Sequence, residues 1–111
     1  MSRIEPAPAN PAILFAALGD PTRLQLIARL GDGAPQSIAR IGEALPMTRQ
    51  AVTKHLHVLH QAGLIDRHKS GREVHVALRR QAIEDARSWL DRINAQWDDT
   101  LSRLKALVEQ A

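Results

Sequence analysis

Residues 48–65 read TRQAVTKHLHVLHQAGLI and constrain the architecture more than any other part of this 111-residue chain. The threonine at the start is a residue type that caps helix N-termini, and the glycine near the end is one that stops helices. Wound at about 100° per residue, Val52, Leu56 and Leu59 fall within about 60° of one another. The segment therefore predicts an amphipathic helix that buries one narrow apolar face.

The opposite side of this helix carries side chains suited to DNA. Glutamine can form two hydrogen bonds with adenine, arginine and lysine can reach guanine, and threonine can touch a thymine methyl. His55 falls nearer the buried side, which favours a structural role over a phosphate contact. Any amphipathic surface helix is polar on its outer side, so this pattern alone does not establish DNA binding. The elements before and after the helix have to distinguish DNA binding from an ordinary solvated face. The candidate DNA-binding residues are Thr48, Arg49, Gln50, Thr53, Lys54 and His57.

Three further helices are predicted before this one. The first covers residues 12–18, and the second starts at Asp20, a preferred cap residue, with Pro21 in the first helical position. The third starts after Ser37 and is ended by Pro46. Only a tight connection then separates the third helix from the fourth.

A β-hairpin with a basic tip is predicted after the fourth helix. Residues 64–68 and 73–78 have strand character, and Gly71 lies in the turn between them. Lys69 and Arg72 flank that turn and are candidate contacts to the DNA backbone or minor groove. Charged tips also keep edge strands from pairing, and both roles are compatible.

The resulting element order is α-α-α-α-β-β-α, a mainly α fold with a small β-hairpin. Two helices joined by a tight turn and followed by a hairpin predict a winged helix-turn-helix. We predict a flexible N-terminal arm over residues 1–10 and a DNA-binding domain over 11–80. Within that domain the helix-turn-helix covers about 37–62 and the wing about 64–78. A C-terminal dimerisation helix is predicted over 81–111.

Charge is concentrated in the middle of the chain. Fifteen basic against twelve acidic residues give a formal net charge of +3, but residues 48–80 hold seven basic and two acidic ones, together with all five histidines. A basic block beside a mildly acidic tail indicates a polyanionic partner for the middle third, although a solvated basic face is equally compatible with charge alone. The chain has no cysteine, which excludes disulfides and thiolate metal sites.

The last predicted helix, from Arg80 to about Glu109, has a continuous apolar stripe. Its length of about 39 Å over residues 83–108 is more than the rest of a small domain can cover, which favours a two-fold dimer through the first and last helices. The alternative is that the stripe belongs to the core of a monomer. Trp89 and Trp97 would either pack against other apolar side chains or line a small-molecule pocket. The predicted dimer interface comprises Ile13, Leu14, Leu18, Leu90, Ile93, Trp97, Leu101 and Leu104.

Two motifs resemble a known family. The segment FAALGDPTRL at residues 15–24 and the segment at 48–65, followed by the wing, are similar to the ArsR/SmtB family of bacterial winged-helix repressors. The resemblance implies a homodimer that binds an inverted-repeat operator and blocks transcription until a signal releases it. By position, residues 48–50, 53 and 54 match the operator-reading stretch of the family, and Lys69 and Arg72 match its wing.

The chain departs from the metal-sensing members of that family. The third-helix region has no cysteine, and no histidine follows His75, so neither of two usual metal sites can be assembled. His57 and His60 stand three residues apart but would need further ligands. The tail instead resembles a subgroup without metal ligands, marked by tryptophans in the last helix. We therefore expect an unidentified effector, no thiolate-bound metal and no cofactor.

The sequence thus predicts a regulator that binds double-stranded DNA as a homodimer, and not an enzyme. It has no Gly-rich phosphate loop, nucleophile elbow or metal triad, so no catalytic residues are assigned. The alternative is a protein-interaction module with a winged-helix body, whose association would be insensitive to salt. No apolar run reaches 18 residues and no signal peptide is recognisable, so a cytoplasmic location without membrane contact is expected.

Overall fold

The computed structural model describes residues 10–110, and the predicted arm lies outside them except for Asn10. No helix in this part of the chain is long and apolar enough to cross a membrane. The predicted order of five helices and a hairpin is confirmed, with one short strand added. The helices are α1 (Pro11–Leu18), α2 (Pro21–Arg29), α3 (Ile38–Ala44), α4 (Arg49–Gln61) and α5 (Arg80–Glu109), and the strands are β1 (Gln36–Ser37), β2 (Ile65–Ser70) and β3 (Glu73–Leu78).

Three of the helices begin where the sequence places a cap. The side chains of Asp20, Ser37 and Thr48 each accept a hydrogen bond from the backbone N–H three residues further on, at 3.1 Å. Each bond satisfies a donor that the first helical turn leaves without an intrahelical partner. The Thr48 cap defines where the short connection from α3 ends and α4 begins.

The core lies between the helices and the inner face of the sheet. Val52, Leu56 and Leu59 of α4 are fully buried at its centre, as the helical spacing predicts. No polar or charged side chain is buried within residues 10–110, so apolar packing supplies the stability of the body. The other core residues come from every helix and from the sheet: Leu14, Ala17, Leu26, Leu30, Ile38, Ile41, Ala62, Leu64, Ile65, Val76 and Ala82.

The sheet has the antiparallel order β1-β3-β2. The sequence analysis missed β1, because a two-residue strand has no periodicity and forms only by pairing with β3. The hairpin turn has Gly71 at φ +63° followed by Arg72 with an ordinary negative φ. A positive φ at the first turn position alone is typical of a type II′ turn, which matches the twist of the flanking strands.

The long helix α5 divides into two parts with different surroundings. Its first turns pack on the body, where Ala82 is buried and the rings of Trp89 and Phe15 lie 5.4 Å apart. Beyond them, residues 90–109, here called distal α5, extend away and give the molecule extents of 70 × 42 × 21 Å. The apolar residues predicted for the dimer interface on this part, Leu90, Ile93, Trp97, Leu101 and Leu104, are 42% to 62% exposed in the single chain.

The structure corrects one part of the predicted dimer interface. Leu14 is 1% exposed and belongs to the core of its own chain, so the prediction for this residue is wrong. Leu18 is half-buried against the same core, whereas Ile13 is 54% exposed. Helix α1 is apolar almost all the way round, so its sequence does not indicate which side faces inward.

Candidate nucleic-acid interface

The outer face of α4 and its cap residue present the six side chains predicted for the recognition helix. This face is opposite the core residues Val52, Leu56 and Leu59, because the helix has a single buried stripe. A helix held to a domain by one face in this way leaves its other face free to enter a groove. The exposed residues of the prediction are Thr48, Arg49, Gln50, Thr53, Lys54 and His57.

Hydrogen bonds within α4 determine which of these groups are available to a partner. The Thr53 hydroxyl donates to the carbonyl oxygen of Arg49 at 2.9 Å, so it can only accept a further hydrogen bond. His57 lies 3.4 Å from the side-chain nitrogen of Gln61. Within residues 10–110, the side chains of Arg49, Gln50 and Lys54 have no hydrogen-bond or ion-pair partner. These three side chains therefore keep their full capacity for a ligand.

The inner edge of α4 is held by a polar cluster at the junction of α1 and α2. His55 is half-buried, with its Nδ1 atom 3.8 Å from the Asp20 carboxylate and 3.4 Å from the Arg23 guanidinium. Arg23 also donates from its Nε to the carbonyl oxygen of Ala17 at the end of α1. The backbone N–H of Arg23, which donates to the Asp20 carboxylate, holds the pKa of that carboxyl below its ordinary value. The cluster supports the structural role that the sequence predicts for His55.

The wing lies beside α4 with its basic tip exposed. Lys69 and Arg72 are both on the surface, as predicted. Gly71 and Arg72 form the turn that joins the two strands, and the last strand pair before the turn is Ser70 with Glu73. We call the outer face of α4 together with this wing the recognition surface.

A cleft between the wing and α4 contains an arginine that the sequence analysis did not single out. The cleft has a volume of about 250 Å³ and is lined by Arg49 of α4 and by Arg67 and Arg72 of the wing. Arg67 is the residue that the sequence analysis did not single out. Strand alternation puts Arg67 on the same face as Lys69, but only the pairing with Val76 indicates that this face is the inner one. The signal in the sequence that points to Arg67 is the hairpin register, which the turn at Gly71 determines.

The basic side chains of the recognition surface have no ion-pair partner. Within the described residues, no carboxylate lies within ion-pair distance of Arg49, Lys54, Arg67, Lys69 or Arg72. Some basic residues outside it are paired, as Arg79 is with Asp66 of β2 and Arg103 with Asp99, both at 3.5 Å, and others are not. No group of three or more metal-ligating side chains occurs within residues 10–110, and His57 and His60 lie exposed on α4.

Comparisons with known proteins agree with this geometry. A family described as a helix-turn-helix domain matches residues 18–68. The solved structure of an ArsR-like transcriptional regulator from Rhodococcus sp. RHA1 is 37% identical, covers 87% of this chain and 91% of its own, and has a TM-score of 0.79. A second solved ArsR family transcriptional regulator is 28% identical, covers 86% of this chain and 97% of its own, and has a TM-score of 0.73. The transcriptional repressor SdpR of Bacillus subtilis is 27% identical over 77 residues, which are 69% of this chain and 84% of SdpR.

The fold and the recognition surface define a winged helix-turn-helix protein that binds DNA to regulate transcription. The chain belongs to the ArsR family of transcriptional regulators. The predicted resemblance is thereby confirmed, and so is the expectation that the chain is not an enzyme, because the members of this family act as regulators.

Proposed function

We propose that this regulator is a homodimeric repressor that reads an inverted-repeat operator in double-stranded DNA. The observation that carries the proposal is the outer face of α4, where Arg49, Gln50 and Lys54 have no partner within residues 10–110. Side chains of these types bind base edges in the major groove when a helix lies in it. Lys69 and Arg72 of the wing would contact the adjacent backbone or minor groove. The similarity to a protein named as a repressor supports repression over activation.

Distal α5 supports the dimer. Leu90, Trp97 and Leu101 leave a large apolar surface uncovered, and Ile13 of α1 adds to the exposed apolar area. A two-fold contact covers the same surface on both copies with one set of residues. The dimer would set the two α4 helices about 34 Å apart, the spacing of successive major grooves on one side of B-DNA.

Release would follow from a change in that spacing. A ligand that binds one arrangement of the dimer more tightly than another shifts the population toward that arrangement, and it can change the DNA affinity by at most the ratio of its two affinities. The sequence has no cysteine, so the proposed effector is not a thiolate-bound metal. We propose that the protein acts in the cytoplasm, where bacterial DNA is located.

Selection from a random duplex library, followed by sequencing of the bound DNA, tests the proposal directly. We expect a two-fold symmetric motif whose half-sites lie about one helical turn apart. Enrichment of an asymmetric motif would contradict the dimeric geometry. If no duplex is bound above background, the result would support the alternative function, a protein-interaction module. The exposed apolar side chains of distal α5 are the surface that such a module would use.

The substitution Gln50→Ala tests base reading by α4. We expect the selected operator to be bound about 10-fold to 100-fold more weakly, with relaxed base preference at one position of each half-site. Gln96→Ala provides the matched control, because Gln96 is an exposed glutamine on the distant helix α5. Equal loss of affinity for the operator and for unrelated duplexes would contradict a base-reading role, and electrophoretic mobility shifts on both DNAs separate the outcomes.

A further inference from the structure

The helix α4 is joined to the body by apolar packing and by one polar side chain. Val52, Leu56 and Leu59 pack in the core. Within residues 10–110, every side-chain hydrogen bond or ion pair between α4 and residues outside the helix and its cap involves His55. Hydrophobic burial is non-directional, whereas a hydrogen bond requires a defined distance and angle. The contacts of His55 therefore add a directional restraint on α4 that burial alone does not supply.

The guanidinium group of Arg23 lies at the corner where α1, α2 and α4 meet. Its Nε donates to the carbonyl oxygen of Ala17, its Nη2 lies 3.5 Å from the carbonyl oxygen of Ala16, and its Nη1 lies 3.4 Å from Nδ1 of His55. Carbonyl oxygens at the end of a helix lack intrahelical partners and carry partial negative charge, so a cation is favourable there. One planar group thus joins the C-terminal end of α1 to α4.

The contact between Arg23 and His55 has a defined direction. A guanidinium group can only donate hydrogen bonds, so Nδ1 of His55 accepts, and the neutral ring carries its proton on Nε2. His55 is half-buried, and the side chains one turn away on its own helix, at positions 51, 52, 58 and 59, are all apolar. The carboxylate of Asp20 lies 3.8 Å from the same Nδ1 atom. The ring is therefore held from α2 and, through Arg23, from α1.

We propose that Arg23 is a positioning residue for DNA reading, which acts on α4 through His55 without contacting the DNA. Thr53 and Lys54 directly precede His55, so a rotation of the helix about its axis moves their side chains relative to the base edges. Base contacts depend on hydrogen-bond geometry, whereas phosphate contacts carry no sequence information and depend largely on charge. The inference rests on the proposed function and adds to it a residue outside the recognition surface that determines specificity.

The ratio of operator affinity to mixed-sequence affinity tests this proposal. Arg23→Lys keeps the charge, but a single ammonium group cannot reproduce the fork that holds Ala17 and His55 together. His55→Ala removes the α4 partner and leaves the contact between Arg23 and Ala17 in place. We expect either variant to bind the selected operator about tenfold more weakly and a mixed-sequence duplex within about twofold of the wild type. Fluorescence anisotropy with labelled duplexes of about 30 base pairs, at one salt concentration, measures both affinities.

The double variant Arg23→Lys, His55→Ala tests whether the two residues act through one contact. It should bind the operator no more weakly than His55→Ala alone, because both substitutions remove the same contact. His55→Asn should recover part of the operator affinity, since its side-chain oxygen can accept a hydrogen bond near the position of Nδ1. Arg29→Lys is the matched control and should leave both affinities unchanged, because Arg29 is an exposed arginine of α2 outside this cluster.

Thermal melts of the variants separate positioning from folding. If Arg23→Lys lowers the melting temperature, the affinity ratio of His55→Ala decides, measured below its own melting transition. An unchanged ratio in both variants, while the wild type prefers the operator, would overturn the positioning role and leave the proposed function intact. An equal loss of affinity for both duplexes, or additive losses in the double variant, would overturn it as well. If the wild type prefers no duplex, the proposed function fails, and the positioning role with it.

Discussion

The recognition surface and distal α5 are both exposed, yet their chemistry is opposite. On distal α5, Arg103 and Lys105 pair with acidic residues of the same helix, at 3.5 and 3.9 Å, and a row of large apolar side chains is exposed. On the recognition surface the cations have no partner within residues 10–110, and most large apolar side chains of α4 are buried, with Val58 at 39% exposed as the exception. The recognition surface therefore has positive charge without a counterion, and distal α5 has apolar area without a covering. A polyanion suits the first surface and a second apolar helix suits the second.

The largest effect is expected from Trp97→Asp, which places a charge in the centre of distal α5. Trp97 is 62% exposed in the single chain, so the substitution should leave the monomer folded. In the proposed dimer, two carboxylates would be buried without partners, and the dimer dissociation constant should rise about 100-fold or more. Sedimentation velocity measures the change. Ala95→Asp adds the same charge on the other side of the helix and should leave the dimer intact; a dimer that survives Trp97→Asp would refute the interface.

A smaller effect separates core leucines from interface leucines. Leu56→Ala should lower the free energy of unfolding by about 2–5 kcal/mol at any protein concentration, because Leu56 is fully buried within one chain. Leu101→Ala should change unfolding by less than about 0.5 kcal/mol in dilute protein, and more only where the dimer forms. Thermal melts at concentrations about a hundredfold apart distinguish the two variants. Equal destabilisation by Leu101→Ala at both concentrations would mean that distal α5 is not an interface.

The smallest effect concerns the junction where the recognition surface meets the dimer helices. The pKa of Asp20 is lowered in the folded state, chiefly by the hydrogen bond from the backbone N–H of Arg23. A lowered carboxyl pKa contributes stability that is present above the unfolded value of 3.8 and is lost as the pH falls through the folded pKa. Asp20→Asn retains a helix cap without the charge. Urea unfolding midpoints of the two proteins should therefore differ at pH 7 and converge below pH 3.8; a difference that does not depend on pH would exclude the charge as its cause.

The sequence predicted most of the fold because its helix signals are local. The caps at Asp20, Ser37 and Thr48 each act within one turn, so they can be identified without knowledge of the tertiary structure. Strand β1 could not be predicted, because Gln36 and Ser37 become a strand only through β3, which lies far along the chain. Leu14 was placed on the wrong side of α1 because an all-apolar helix carries no directional information.

The candidate site was predicted in part for a similar reason. The outer face of α4 follows from the helical period and the position of one apolar stripe. Arg67 was missed, because its place in the cleft depends on strand register and on the distance between two elements that are separate in sequence. The unpaired state of the basic residues also needs the structure, since composition gives only the excess of positive charge.

The contact between Phe15 and Trp89 has a consequence for how the chain is made. It joins the first helix to the last, so α1 cannot acquire its full packing until nearly the whole chain has left the ribosome. Contacts between residues so distant in sequence close a long loop and form late in folding. A chain terminated before residue 89 would leave the Phe15 ring uncovered on the body.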